Sequence, residues 1–503
     1  MRFRDVPGLT ALFVDWMEGV PGARALLPFL PDKVALREQA ISARNRSETR
    51  GRIHHLLKSQ AGEFNAGEPA MKNIERLLLP DSVVILASLP PVLAGGPLSI
   101  LLKCFTTAKL AAELESAGIP AFPMCWLAHD PRCASNTASI GLLDQDAQLR
   151  RVLLQSSDGA AGGTGCQWPI PPEIERWVSA LVSTVEADPK DAAIQELIRA
   201  YHPGTPFSKA SARFISSLLN EWGIVLLDPA APEFRATLMD SLHHSRFSHE
   251  RAAFLFCRRE EELRRAGYAR PPADSNSGFP QERGGPDAPD RDVSPGPLTP
   301  LFIEAVLPVA AHVIGHHEIQ DYALALPVFP EIGLLPPLLW PAASATLVDA
   351  RSRRNMEKHG IVFADLLAGR RDLVRRLTRE EEAKNVVSRL DALSESITSG
   401  LAGVKASAGS GVEVDLMLSD TRSRALYQLG KLRERFEAAI AVRREVISRQ
   451  VDRISSTLLP EGGLQESAVS GLHFILRNST DFLPRLYERL DIQSFEHQLI
   501  PVE

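Results

Sequence analysis

The sequence predicts an α/β protein, with a parallel-sheet core and a C-terminal antiparallel α-helical coiled-coil arm. Three observations carry this. Short β-branched runs alternate with helical periodicity and Gly/Pro turns between residues 81 and 268, the order of a βαβ unit. The same alternation resumes over 301–377. From 378 to 460, apolar residues recur every three or four positions among charged ones, as in two long paired helices.

Residues 1–80 read as the N-terminal helical part of the core, with Arg and Glu spaced among apolar positions. Val83–Ser88 is a β-branched run suited to a strand buried on both faces. A Gly/Pro loop follows, then helical periodicity over Leu98–Ser116 and an apolar strand over Ala121–Ala128. After the amphipathic stretch Phe207–Trp222, Ile224–Leu227 reads as another buried strand ending at Asp228-Pro229. Residues 269–300, with eight prolines, form a linker or reduced insertion that cannot bury enough apolar surface to fold alone. In the arm, Leu390, Leu393, Ile397, Leu401 and Val404 make one stripe. Leu429, Phe436, Ile440, Ile447, Val451, Ile454 and Leu458 make the other, across a Gly/Ser break at 406–411. Residues 461–503 return to the core.

Composition narrows the function classes. The net charge of −6 over 503 residues leaves no electrostatic footprint for nucleic acid. Five cysteines without a C-x-x-C pair argue against a disulfide framework or structural zinc, and fit a reducing cytoplasm. Residues 82–102 are uncharged over a membrane-spanning length, but Pro90, Pro91, Gly95, Gly96 and Pro97 break the run, so it is read as buried core.

Several segments in order carry a resemblance. Met71–Leu77 leads into the first strand, and Leu93–Leu98 is a Gly-Pro turn followed by Lys103. Trp126-Leu127-Ala128 closes the next strand; Phe207–Pro229, Leu307–Ile319 and Phe495–Gln498 complete the series. Together they resemble the BshC family of bacillithiol biosynthesis nearly end to end. The resemblance implies a Rossmann-like core with small connecting insertions and a coiled coil used for homodimerisation. It also implies amide formation between cysteine and glucosaminyl-malate. That reaction needs an activated carboxyl group, supplied through a nucleotide such as ATP, and a base for the attacking amine.

The candidate site residues come from both readings. Gly95-Gly96-Pro97 precedes a helix whose N-terminus could receive an anion, with Lys103 one turn in. From the resemblance, Asp130, Gly315, Glu318 and Ser344 occupy kept positions, and His129 stands beside Asp130 to replace a missing histidine. The departures are Ala87-Ser88-Leu89-Pro90 for Thr-Gly-Gln-Gln, Asp130-Pro131-Arg132-Cys133 for Glu-Asp-His-Asp, and a lost arginine after Pro341. They leave a second reading, a non-catalytic relative that binds or regulates, and a third, a ligase for another amino acid or acceptor. No metal is expected, because adjacent His316 and His317 do not share a helix face.

Overall fold

A computed structural model describes residues 1–44, 49–129, 138–154, 166–244, 249–268, 299–378, 380–408, 411–478 and 481–502. The Pro-rich segment read as a linker therefore lies almost wholly outside the described residues.

Residues 1–80 are helical, with Lys33–Ala43, Arg50–Glu63 and Glu68–Arg76 as the longer elements. Arg50 shapes the entry to the sheet. Its buried guanidinium donates to the carbonyls of Leu77 (3.0 Å), Pro80 (3.1 Å) and Ser82 (3.0 Å) and to Ser82 Oγ (2.8 Å), satisfying a turn that would otherwise bury unpaired acceptors.

The strands follow in chain order: β1 Val83–Leu89, β2 Ala121–Leu127, β3 Ser139–Leu143, β4 Leu149–Leu153, β5 Val225–Leu227, β6 Val309–Ile314, β7 Leu338–Pro341, β8 Ser344–Val348 and β9 His497–Pro501. Five of them make one sheet in the order β5-β2-β1-β6-β7, every neighbouring pair parallel. Along β1, Val83, Ile85, Ala87 and Leu89 join one apolar cluster and Val84 and Leu86 the other, so both faces are covered. The helix Leu98–Ser116 has the bounds its periodicity predicts and links β1 to β2. From β2 the chain builds outward to β5, then crosses back to place β6 on the other side of β1. The C-terminal ends of β1 and β6 therefore flank the point where strand order reverses, the crevice in which open α/β sheets hold ligands.

Two small sheets complete this unit. β3 and β4 form an antiparallel hairpin that the sequence reading did not anticipate. β8 pairs in parallel with β9, which brings the C-terminal segment back to the core.

The chain divides into two compact units, 1–348 with 463–503, and 349–462. The helices Ala350–His359, Phe363–Ala368 and Arg370–Thr378 thus cluster with the long helices, whereas the sequence reading grouped 349–377 with the core. Within the second unit, Glu380–Ala408 and Val412–Leu458 pair antiparallel. Arg433 meets Asp391 (2.5 Å) and Lys405 meets Asp415 (3.1 Å), so later residues of one helix oppose earlier ones of the other. At ~1.5 Å per residue, the 47-residue helix is about 70 Å long. Its C-terminal part buries Ile447, Val451, Ile454 and Leu458, while His359 bonds Gln450 (2.7 Å) and Arg370 clasps Asp452.

Candidate functional site

At the reversal point, residues from three segments form one polar cluster. Ser88 lies at the end of β1, Lys103 on the helix that follows, and Gly315 and Glu318 in the turn after β6. Lys103 Nζ donates to Glu318 Oε2 (2.6 Å) and to Ser88 O (2.7 Å), with Ser88 Oγ at 3.3 Å. The Gly315 N–H donates to Glu318 Oε2 (2.6 Å), and Ser88 Oγ also bonds Glu318 Oε1. The Lys103 side chain is 9% exposed and that of Glu318 27%, so the cation is withdrawn and the carboxylate faces solvent at the rim. An ion pair so placed resists salt better than an exposed one.

Below it lies a polar support. Tyr322 N donates to Glu318 O (3.3 Å), and the Tyr322 hydroxyl meets His312 Nδ1 (2.6 Å), whose Nε2 meets Glu304 Oε1 (3.2 Å). Burial pushes the Tyr322 hydroxyl well above its ordinary pKa, with nearby Glu318 adding to the effect. This chain of groups, like Ser88, was missed from sequence, because nothing local marks a buried His–Tyr contact.

A second pair stands on the same edge. His129 follows β2 and Asp228 follows β5; His129 Nε2 donates to Asp228 Oδ1 (2.7 Å). The side chain of Gln60 fixes the Asp228 backbone by accepting from its N–H (2.9 Å) and donating to its carbonyl (2.8 Å). The end of β1 that carries Ser88 and the end of β2 that precedes His129 are neighbours in the sheet, one step of ~4.8 Å apart, with β5 one step further out. Asp130, expected beside His129, lies outside the described residues, as do Pro131, Arg132 and Cys133.

Other expected residues are placed elsewhere. Ala94, Gly95 and Gly96 all have positive φ (50°, 76° and 69°), a backbone glycine tolerates and Ala94 adopts at some cost. A Cβ on Gly96 would stand 2.9 Å from Val92 Cγ2. The turn is buried and closed by the C-terminal segment: Gly471 N donates to Gly96 O (3.1 Å) and Leu98 N to Val469 O (2.9 Å). The first N–H of the helix Leu98–Ser116 is thus already satisfied, and the residues around Pro97 do not fit a phosphate there. Lys103 alone among these joins the edge cluster.

Ser344 begins β8 and is buried among Glu466 and His497. Its Oγ lies 2.8 Å from Glu466 Oε1 and 2.7 Å from His497 Nδ1. Burial raises the Glu466 carboxyl to about 7 and lowers the His497 imidazole to about 4, so in mild acid above pH 4 both groups are mostly neutral, and Glu466 ionises as pH rises through neutrality. His316 accepts from Thr10 N (3.3 Å), and burial first, then neighbouring His317, lowers it to about 3. Among the described residues no group of three His, Cys, Asp or Glu could hold a metal ion, and no helix is long and apolar enough to cross a membrane.

Known proteins share this arrangement of domains. A model described as the bacillithiol biosynthesis BshC N-terminal Rossmann-like domain matches residues 4–277. That of the BshC C-terminal coiled-coil domain matches 345–502, close to the boundary at 349. A Koribacter versatilis protein named "Putative cysteine ligase BshC" is 25% identical over 99% of this chain and 98% of its own. Proteins of that name from Salinibacter ruber and Geobacillus thermodenitrificans are each 24% identical, covering 98% and 97% of this chain and 96% and 97% of theirs.

Proposed function

Because this chain belongs to the BshC family, we propose that it is an amide-forming ligase that joins cysteine to the amine of glucosaminyl-malate, the last step of bacillithiol synthesis. The observation that carries this is the Lys103–Glu318 pair at the strand-reversal point, tied to Ser88 and the Gly315 N–H. A zwitterionic amino acid presents an ammonium and a carboxylate side by side, and this pair offers one group of each opposite sign at a single place. Glu318 takes the cysteine ammonium, and Lys103 draws the carboxyl oxygen. His129 on the same edge is placed to accept the proton that the attacking amine loses. Activation of the carboxyl group calls for a nucleoside triphosphate as co-substrate.

The test is calorimetry with cysteine, N-acetylcysteine and cysteine methyl ester, alongside mass-spectrometric detection of product from cysteine, glucosaminyl-malate and ATP. Cysteine should bind, each capped analogue should bind at least tenfold more weakly, and Lys103→Met should bind none of the three tightly. Equal binding of cysteine and both capped forms would sink the zwitterion reading.

The closed Gly95–Pro97 turn favours a second reading, a relative that binds cysteine without activating it. Binding without product would identify that case. The reading also places the chain in the cytoplasm, and assigns homodimerisation to the long helices, where Leu416 and Met417 are each 67% exposed.

A further inference from the structure

We propose that Asp228 is a positioning residue that fixes the His129 ring so that its Nδ1 is the base for the attacking amine; this rests on the ligase reading. The sheet places the two residues together. Trp126 in β2 is in register with Leu227 in β5, so the chain leaves both strands side by side at the C-terminal edge. Asp228 Oδ1 accepts from His129 Nε2 (2.7 Å) and from Ala230 N (2.9 Å), and Gln60 holds the backbone on both sides. With two donors on one oxygen, the carboxylate cannot rotate freely.

A plain structural staple would be redundant here, because β2 and β5 are already joined by their ladder. What the pair adds is orientation. A carboxylate that accepts from Nε2–H selects the tautomer whose lone pair is on Nδ1, the second-contact logic by which acid–base histidines are held ready. The His129 residue is 9% exposed, so the ring is shielded on most sides yet reaches the edge. In the step, the amine nitrogen bonds to the activated cysteine carboxyl carbon. The bond from that carbon to the oxygen of the activating phosphoryl or nucleotidyl group breaks, and that group leaves with its electron pair. The proton shed by nitrogen passes to Nδ1, then to solvent.

The variants separate the acceptor atom from the charge. Asp228→Asn keeps an oxygen for both donors, Asp228→Ala removes it, and Asp228→Ser keeps the turn at Ala230 but is too short to reach the ring. The Gln60 bonds are to backbone atoms and survive in all three. Steady-state ligation should show kcat lowered about tenfold or more in Asp228→Ala and Asp228→Ser, and lowered in Asp228→Asn as well because a neutral amide does not stabilise the imidazolium that forms, with KM for cysteine within about twofold in each. In a His129→Ala background, Asp228→Ala should cost nothing further, since one acts through the other. Nitrogen NMR of histidine-labelled protein should report the Nε2–H tautomer in wild type and its loss in Asp228→Ala or Asp228→Ser. An unchanged tautomer, or an equal kcat loss in the His129→Ala background, overturns the proposal. A tautomer that depends on Asp228 in a protein that makes no product overturns the ligase reading and leaves the pair standing.

Discussion

Replacing Glu466 by glutamine should stabilise the protein increasingly as pH rises from mild acid into the alkaline range. Glu466 Oε2 accepts from Ala345 N (2.6 Å) and Oε1 meets Ser344 Oγ (2.8 Å). His497 sits between Ser344 Oγ (2.7 Å) and Thr346 Oγ1 (2.8 Å). Burial raises Glu466 from 4.5 to about 7 and, aided by the N-terminal ammonium, lowers His497 from 6.5 to about 4. While Glu466 is protonated it can donate to Ser344 Oγ, which then donates to Nδ1 as Nε2–H donates to Thr346; once Glu466 ionises, the Ser344 hydroxyl donates to Oε1 instead. A carboxyl whose folded pKa is raised takes up a proton on folding. Its contribution is fully present below pH 4.5 and is lost as pH rises through about 7. Between pH 5.5 and 8.5 that loss is about 2 kcal/mol. Glutamine supplies the same oxygen to Ala345 and the same donor to Ser344 but does not ionise. Urea unfolding of both proteins at the two pH values measures the difference directly. Relative to wild type, Glu466→Gln should gain about 2 kcal/mol on going to the higher pH. A pH-independent difference between them would refute the neutral-network argument.

Three further outcomes follow from the same structure. Burial lowers His473 to about 3, with Arg477 adding to it, so its contribution is present above pH 6.5 and lost as pH falls; between pH 6 and 4, His473→Leu should flatten the acid loss by about 1.4 kcal/mol per pH unit, read by urea titration. Gly96→Ala forces a Cβ to 2.9 Å from Val92 at φ 69° and should cost about 2 kcal/mol or more, seen as a lowered urea midpoint, whereas Gly118→Ala, with open space around it, should cost only the backbone strain. If the exposed apolar residues of the long helices meet a second copy, the chain should sediment near twice 55.1 kDa, and deletion of 385–455 should give a monomer; a full-length monomer at micromolar concentration would end the dimer reading.

What could be read in the sequence was whatever is local. Val83–Leu89 and Ala121–Leu127 announce themselves because a central parallel strand must be apolar on both faces. Leu98–Ser116 is bounded by Pro97 and by Ala117-Gly118, where the chain turns at φ 78°. The long helices show their stripes because nothing else interrupts them. The hairpin β3–β4 escaped, since Ser139–Leu143 and Leu149–Leu153 are short and uneven in alternation; the one signal was the turn around Asp144, whose Oδ1 accepts from Asp146 N (3.0 Å) and Gln148 N (2.9 Å). The boundary at 349 escaped because the short helices before the arm are too brief to carry the sustained apolar stripe by which the arm was recognised.

The site divides along the same line. Lys103, Gly315 and Glu318 could be singled out because each lies just beyond a recognisable strand or turn, where an α/β sheet exposes its chemistry. Ser88 looked like the remnant of a lost polar loop, yet it is the atom that lets Lys103 and Glu318 be held together. The glycines misled for a physical reason: positive φ marks a tight turn whether a ligand or a side chain fills the space beside it, and here Val92, Phe214 and the C-terminal segment fill it. Asp228 was legible only as a strand end, because its meaning depends on His129, 99 residues away. That separation is closed by the order of β5 and β2, which no spacing in the sequence encodes. A charged residue placed just after a buried strand is therefore better judged by which strand becomes its neighbour than by its own surroundings in the chain.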